Sequence, residues 1–205
     1  MNMMKNYRET DPEFVERVEH FAFDEVVNEP GQQLDEVTRH MAILATLLGC
    51  QGTDVFRREL PQALDVGVTP VMAKEIVYQA VDYLGMGRVL PFLDITNEVL
   101  TARGVALPLE GQATTTMEDR LEKGAQAQAD IFGTQMLEAW KAGHINRWLA
   151  ANCCCEPQLT SHAKGNMNLG NDKDFLIRVI SQCLPYIGSP RSLNAVTCVN
   201  KAAEG

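Results

Sequence analysis

The sequence predicts an all-α protein. Apolar residues recur at helical spacing in successive windows, and no window alternates apolar with polar residues as a half-buried strand would. N-cap and glycine-stop signals bracket the periodic stretches. The 205 residues are 45% hydrophobic and 22% charged, which supports a buried core and excludes a disordered chain.

Asp11-Pro12 opens the first helix, with Asp11 as N-cap and Pro12 at the first position, where a missing N–H costs nothing. Phe14, Val15, Val18, Phe21 and Ala22 share one face, and Asn28-Glu29-Pro30-Gly31 breaks the helix. A second helix is predicted from Asp35 to Leu48, stopped by Gly49. The third runs from Thr53 or Asp54 to Gly67, bent at Pro61. Thr69-Pro70 caps a fourth, Val71 to Leu84, which ends at Gly85-Met86-Gly87, and a fifth carries Val89, Leu93 and Val99 to Thr101. Residues 102–116 lack periodicity and form a connector. A long helix is then expected from Met117 to Ala142, burying Leu121, Ala125, Ile131, Met136 and Trp140.

An internal repeat reorganises this series. An offset of 103 residues sets Gly67–Leu100 on Gly170–Ala203 without a gap. Gln79 meets Gln182, Tyr83 meets Tyr186, Gly85 meets Gly188, Arg88 meets Arg191 and Asn97 meets Asn200. The shared pattern Q-x3-Y-x-G-x2-R-x8-N implies tandem duplication of a helical hairpin. The two tyrosines are expected to serve packing.

Charge and cysteine usage narrow the partners. Eighteen basic against 27 acidic residues give a net −9, with no basic stripe to meet a phosphate backbone, so nucleic acid and anionic membrane are excluded as expected partners. No apolar run approaches the roughly 20 residues that span a bilayer, and the N-terminal stretch lacks the apolar core of a signal peptide. The six cysteines are expected to be thiols in a reducing compartment, so a cytoplasmic location is expected.

The string Gly67-Val68-Thr69-Pro70, Glu75-Ile76-Val77, Gln79-Ala80 and Tyr83-Leu84-Gly85-Met86-Gly87-Arg88 resembles the carboxymuconolactone decarboxylase family, whose superfamily includes the alkylhydroperoxidase D-like proteins. Cys155-Glu156-Pro157-Gln158, His162, Gly165-Asn166, Gly170-Asn171-Asp172 and Leu184-Pro185-Tyr186-Ile187-Gly188 resemble the same module. The resemblance implies an alkylhydroperoxidase D-like helical bundle with a duplicated module and a small-molecule substrate. It also implies a homo-oligomer, a trimer favoured. The expected layout is an N-terminal helix over 1–33, a first module over 34–103, a connector and long helix over 104–149, and a second module over 150–205. The second module lacks a piece resembling the Asp35–Leu48 helix before Cys155.

Cys155, Gln158 and His162 are the sharpest candidates. Offsets of 0, 3 and 7 lie on one helix face, with Cys155 and His162 about 10 Å apart along the axis and within about 20° of each other around it. Pro157 suits a first turn, so Cys155 stands at a helix N-terminus, where the dipole favours thiolate, with His162 as acid or base. The other reading is an inert thiol and a structural histidine. Where the redox-active branch of the superfamily carries C-x-x-C-x3-H, Gln158 replaces the second cysteine.

The first module offers Cys50, Glu59 and His40 as a thiol, carboxylate and imidazole relay. Glu59 aligns with His162 at the same offset; the other reading is a solvated helix charge. Arg88 and Arg191 are candidate carboxylate binders through a bidentate fork, or else helix caps. Adjacent Cys153, Cys154 and Cys155 point apart, which argues against a metal site, and no cofactor is expected. Cys183 and Cys198, among apolar neighbours, are expected in the core.

The resemblance implies a carboxymuconolactone decarboxylase-like lyase acting on a small carboxylated lactone, with His162 as general acid and an arginine holding a carboxylate. An alkylhydroperoxidase-like thiol peroxidase and a non-catalytic oligomeric ligand-binding protein are the alternatives.

Overall fold

A computed structural model describes residues 4, 7–135, 138 and 156–204. Among these the regular structure is helical and no strand occurs, as the periodicity predicts. The described residues fall into two compact units. The first comprises those of Met1–Leu107 with Ile177–Val196, and the second those of Pro108–Leu176 with Thr197–Gly205.

In the first unit, α1 (Pro12–His20) follows Asp11 and passes through a π-helical turn, Phe21–Glu25, into α2 (Val26–Asn28). Asp35 caps α3 (Glu36–Gly49) by accepting from the Thr38 N–H at 2.9 Å. α4 (Thr53–Asp65) carries Pro61 internally, and Thr69 caps α5 (Pro70–Gln79) by accepting from the Met72 N–H at 3.2 Å. The single fourth helix expected from Val71 to Leu84 is divided, since α6 (Val81–Leu84) is set off from α5 at Ala80. Gly85 then turns the chain at φ +77°, a conformation costly for any residue with a Cβ, into α7 (Met86–Ala102).

α3 packs on α4 and α5, and α7 packs on both α4 and α5. Their facing sides bury Ile43, Leu44, Leu47, Phe56, Leu60 and Phe92 at 2% exposure or less. Phe56 and Phe92 meet edge to face, with ring centroids 5.1 Å apart.

In the second unit, α8 (Arg120–Phe132) is shorter than the helix expected from Met117 to Ala142. Gly133, at φ +101°, stops it. Leu121, expected to be buried, is 64% exposed, and only Ala129 of α8 is buried. Met136 and Trp140 lie outside the described residues. α9 (Glu156–Asn168) meets α8: the Asn168 side chain donates to the Ile131 carbonyl at 2.9 Å, and Gly165 approaches Phe132 too closely to admit a Cβ.

α10 (Lys173–Ile187) and α11 (Ser189–Glu204) follow. Their ends keep the register of the sequence repeat. α9 begins and ends 103 residues after α4, α10 begins 103 after α5, and α11 begins 103 after α7. Gly188 turns at φ +76°, matching Gly85.

Candidate functional site

The site grows from two successive helices. Antiparallel packing of α3 on α4 turns His40 of the first toward Glu59 of the second. Glu59 is fully buried, so the reading of it as a solvated helix charge is wrong: the face of α4 that carries Phe56, Leu60 and Ala63 inward also carries Glu59. His40 is 4% exposed. His40 Nδ1 and Glu59 Oε2 lie 3.7 Å apart, beyond hydrogen-bond range, and neither atom has another partner.

α10 closes the other side. Tyr186 Oη donates to Glu59 Oε1 at 3.3 Å. One turn earlier, Gln182 is 1% exposed and satisfies three valences. Its Oε1 accepts from Arg39 Nε at 3.0 Å, and its Nε2 donates to the carbonyls of Val26 at 2.9 Å and Gln32 at 3.0 Å. The i, i+4 spacing of Gln182 and Tyr186 thus serves Arg39 and Glu59 together.

Electrostatics favour the neutral forms. Burial pushes the Glu59 carboxyl up to about 7, against the Tyr186 hydrogen bond and the Arg39 charge, which pull it down. Burial, then the adjacent Arg39 guanidinium, holds the His40 imidazole below its ordinary value, partly offset by Glu36. Burial and the nearby Glu59 carboxylate raise the Tyr186 phenol. Near neutrality the pair is therefore a neutral imidazole facing a carboxyl close to its titration midpoint, rather than a full ion pair.

An open cleft of about 330 Å³ lies on the solvent side of His40. Glu36, Arg39, His40, Gln62 and Asp65 supply its polar lining, and Phe23, Val27 and Val66 its apolar lining. The π-helical turn carries Phe23, a placement in keeping with the frequency of such turns at functional sites. Glu36 Oε2 is 3.6 Å from His40 Nε2 and 3.5 Å from an Arg39 terminal nitrogen, and Asp65 pairs with Arg103. Each acidic side chain of the wall thus has a cation beside it. His40 lines the cleft and, on its other side, faces the enclosed Glu59.

Residues 12–98 match the carboxymuconolactone decarboxylase family. No curated protein matches the chain. The carboxymuconolactone decarboxylase match spans α1 to most of α7, and so includes Glu36, Arg39, His40 and Glu59. It supports the resemblance drawn from the Gly67–Arg88 string, and it does not extend to α10, which supplies Gln182 and Tyr186.

Of the candidates read from the sequence, the structure brings His40 and Glu59 together. Cys50 is the C-cap of α3, ten residues and about 15 Å along the axis from His40, and its thiol donates to the Leu47 carbonyl at 3.7 Å. Cys50, His40 and Glu59 therefore do not form one relay. Arg88 and Arg191 are exposed. On α9, Gln158 is half-buried and His162 is exposed, edge-on to Phe132 with ring centroids 6.1 Å apart. Cys155, like Cys153 and Cys154, lies outside the described residues. Cys183 and Cys198 are buried, as their apolar neighbours predict.

Glu36, Arg39, Gln182 and Tyr186 were not among the sequence candidates. The shared Q-x3-Y of the repeat was the signal for the last two. Among the described residues no three His, Cys, Asp or Glu are grouped to hold a metal ion, and no helix is long and apolar enough to cross a membrane.

Proposed function

We propose that the chain is a lyase of the carboxymuconolactone decarboxylase type, acting on a small carboxylated lactone in the cleft beside His40. The observation that carries this is the buried Glu59 carboxyl facing His40 on the cleft wall. Loss of CO2 from a carboxylate leaves the bonding electron pair on carbon, delocalised into the lactone carbonyl as an enolate. That carbon must then take a proton. His40 delivers it through Nε2, Glu59 restores the imidazole through Nδ1, and water returns one proton to Glu59 for each CO2 released. Tyr186 holds the Glu59 carboxyl in place. Arg39 is the cation at the cleft for a substrate carboxylate.

Thiol peroxidation fits the described site less well. Among the described residues no cysteine lines the cleft, Cys50 is at the far end of α3, and burial raises the enclosed Cys183 thiol. His162, in register with Glu59, remains the candidate acid of a second site, with Cys155, Gln158 and Arg191 as its proposed companions.

The test is CO2 release from a carboxylated muconolactone. Wild type is expected to turn over, and His40→Ala and Glu59→Gln to lose about 10²-fold or more. Turnover that survives both substitutions, or no consumption of such lactones by folded wild type, would overturn the proposal.

A further inference from the structure

One enclosed amide holds both sides of the cleft. Gln182 of α10 reaches the cation, since its Oε1 accepts from Arg39 Nε at 3.0 Å. It also reaches the segment that carries Phe23 and Val27, because its Nε2 donates to the Val26 carbonyl at 2.9 Å. That carbonyl lacks the usual helical donor four residues on, where Pro30 has no N–H. A third bond, to the Gln32 carbonyl at 3.0 Å, fixes the connector that leads into α3, and Ser181 Oγ lies 3.1 Å from the Gln32 side-chain oxygen. Position in the repeat does not by itself bury a glutamine. Gln79, the counterpart of Gln182 at the 103-residue offset, is exposed and donates to Glu75 of its own helix at 3.3 Å.

We propose that Gln182 is a positioning residue for carboxylate binding in the cleft, acting through Arg39. A guanidinium is a rigid planar fork, so holding Nε fixes the plane in which its terminal nitrogens lie. One of them is 3.5 Å from Glu36 Oε2, and Arg39 and Glu36 both line the cleft. The same amide ties that fork to the segment carrying Phe23 and Val27. A bound carboxylate and the apolar part of its molecule therefore meet two surfaces held by one side chain. Only an amide does this. Glutamate would accept from Arg39 but has no donor for the two carbonyls, and its charge would neutralise the cation. Methionine fills the volume and makes none of the three bonds. The family match covers residues 12–98, so Gln182 acts on the cleft from a part of the chain beyond it. The role rests on the reading that Arg39 receives a substrate carboxylate; proton delivery by His40 does not depend on it.

The test measures binding rather than turnover. The probe is butyrolactone-γ-carboxylate, whose carboxylate is not on the carbon next to the ring carbonyl and so does not leave. Isothermal titration calorimetry on the full chain should show Gln182→Met and Gln182→Glu each weakening binding about tenfold or more, and Gln79→Met by less than about twofold. If Gln182 acts through Arg39, adding Gln182→Met to Arg39→Lys weakens binding no further, whereas a general loosening of the fold adds its loss in full. Wild type alone gives a second measurement, which holds even if the Gln182 variants do not fold. Its Arg39 Nε–H resonance, identified by its absence in Arg39→Lys, should exchange slowly with solvent and move when the probe is added. No binding to wild type, unchanged affinity in Gln182→Met, additive losses, or a rapidly exchanging Nε–H would each overturn the proposal. A chain that binds the probe in the expected pattern yet releases no CO2 would overturn the lyase reading and leave Gln182 in its role. CO2 release with unchanged probe affinity would do the reverse.

Discussion

Glu59 Oε2 and His40 Nδ1 face each other at 3.7 Å, both enclosed and neither bonded elsewhere. Two polar atoms in that state are set opposite each other by the packing of α3 on α4, and each is left without the hydrogen bond that burial ordinarily demands.

The same burial makes stability depend on pH. Folded Glu59 keeps its proton to about pH 7, whereas the unfolded carboxyl releases it near 4.5. Between those values the folded state binds more protons, so stability falls as pH rises through the window. The penalty is complete above about pH 7 and amounts to roughly 3 kcal/mol. Glu59→Gln removes this slope, and its melting temperature should gain on wild type between pH 5 and 7. His40 acts the other way below its ordinary value of 6.5, but it is present in both proteins and largely cancels in the difference. Parallel melting curves for the two proteins across this range would refute the assignment.

Gln182 links Arg39 to the carbonyls of Val26 and Gln32 across more than 140 residues of sequence. Gln182→Ala leaves a guanidinium and two carbonyls short of partners in an enclosed place, at a cost of about 2–4 kcal/mol. Urea denaturation should show it as a lower midpoint with an unchanged slope. A loss under half a kcal/mol would mean that water replaces the amide freely.

The turn glycines separate strain from propensity. Gly85 sits at φ +77°, so Gly85→Ala should destabilise by about 1–2 kcal/mol. Gly87 lies in the first turn of α7 with open space where a Cβ would stand, so Gly87→Ala should stabilise by up to about 1 kcal/mol. Thermal melts of the two variants should move in opposite directions.

Most of the helices were legible because periodicity, caps and glycine stops agree locally, as at Asp35, Thr69 and Gly85. The failures have physical causes. Spacing places Leu121 on a buried face, but spacing does not say whether a neighbour exists to cover it. The span expected from Met117 to Ala142 runs through Gly133, which instead ends α8 at φ +101°. His40 and Glu59 were each visible as chemistry-bearing residues, yet their contact depends on how α3 turns back on α4, which no spacing rule encodes. Tyr186 was expected to pack, and its hydroxyl reaches Glu59 only because α10 returns to the first unit.

Tyr186→Phe isolates that last contact. The phenol donates to Glu59 Oε1 at 3.3 Å and is the leading influence holding the carboxyl down against burial. Phenylalanine keeps the ring and its packing, so the stability cost should be about 1 kcal/mol, the net value of one hydrogen bond. The larger effect is on protonation. Without the donor, the charged form of Glu59 loses its direct hydrogen bond and the carboxyl should titrate above its present value of about 7. Infrared titration of the carboxylic acid band, identified by its absence in Glu59→Gln, reads this directly. The band should persist to higher pH in Tyr186→Phe than in wild type. If Glu59 is the proton reservoir for His40, the pH profile of turnover should shift upward by the same amount. A band that titrates unchanged would show that Tyr186 only fills space beside Glu59. A shifted band with an unshifted pH profile would show that Glu59 titrates without supplying the proton.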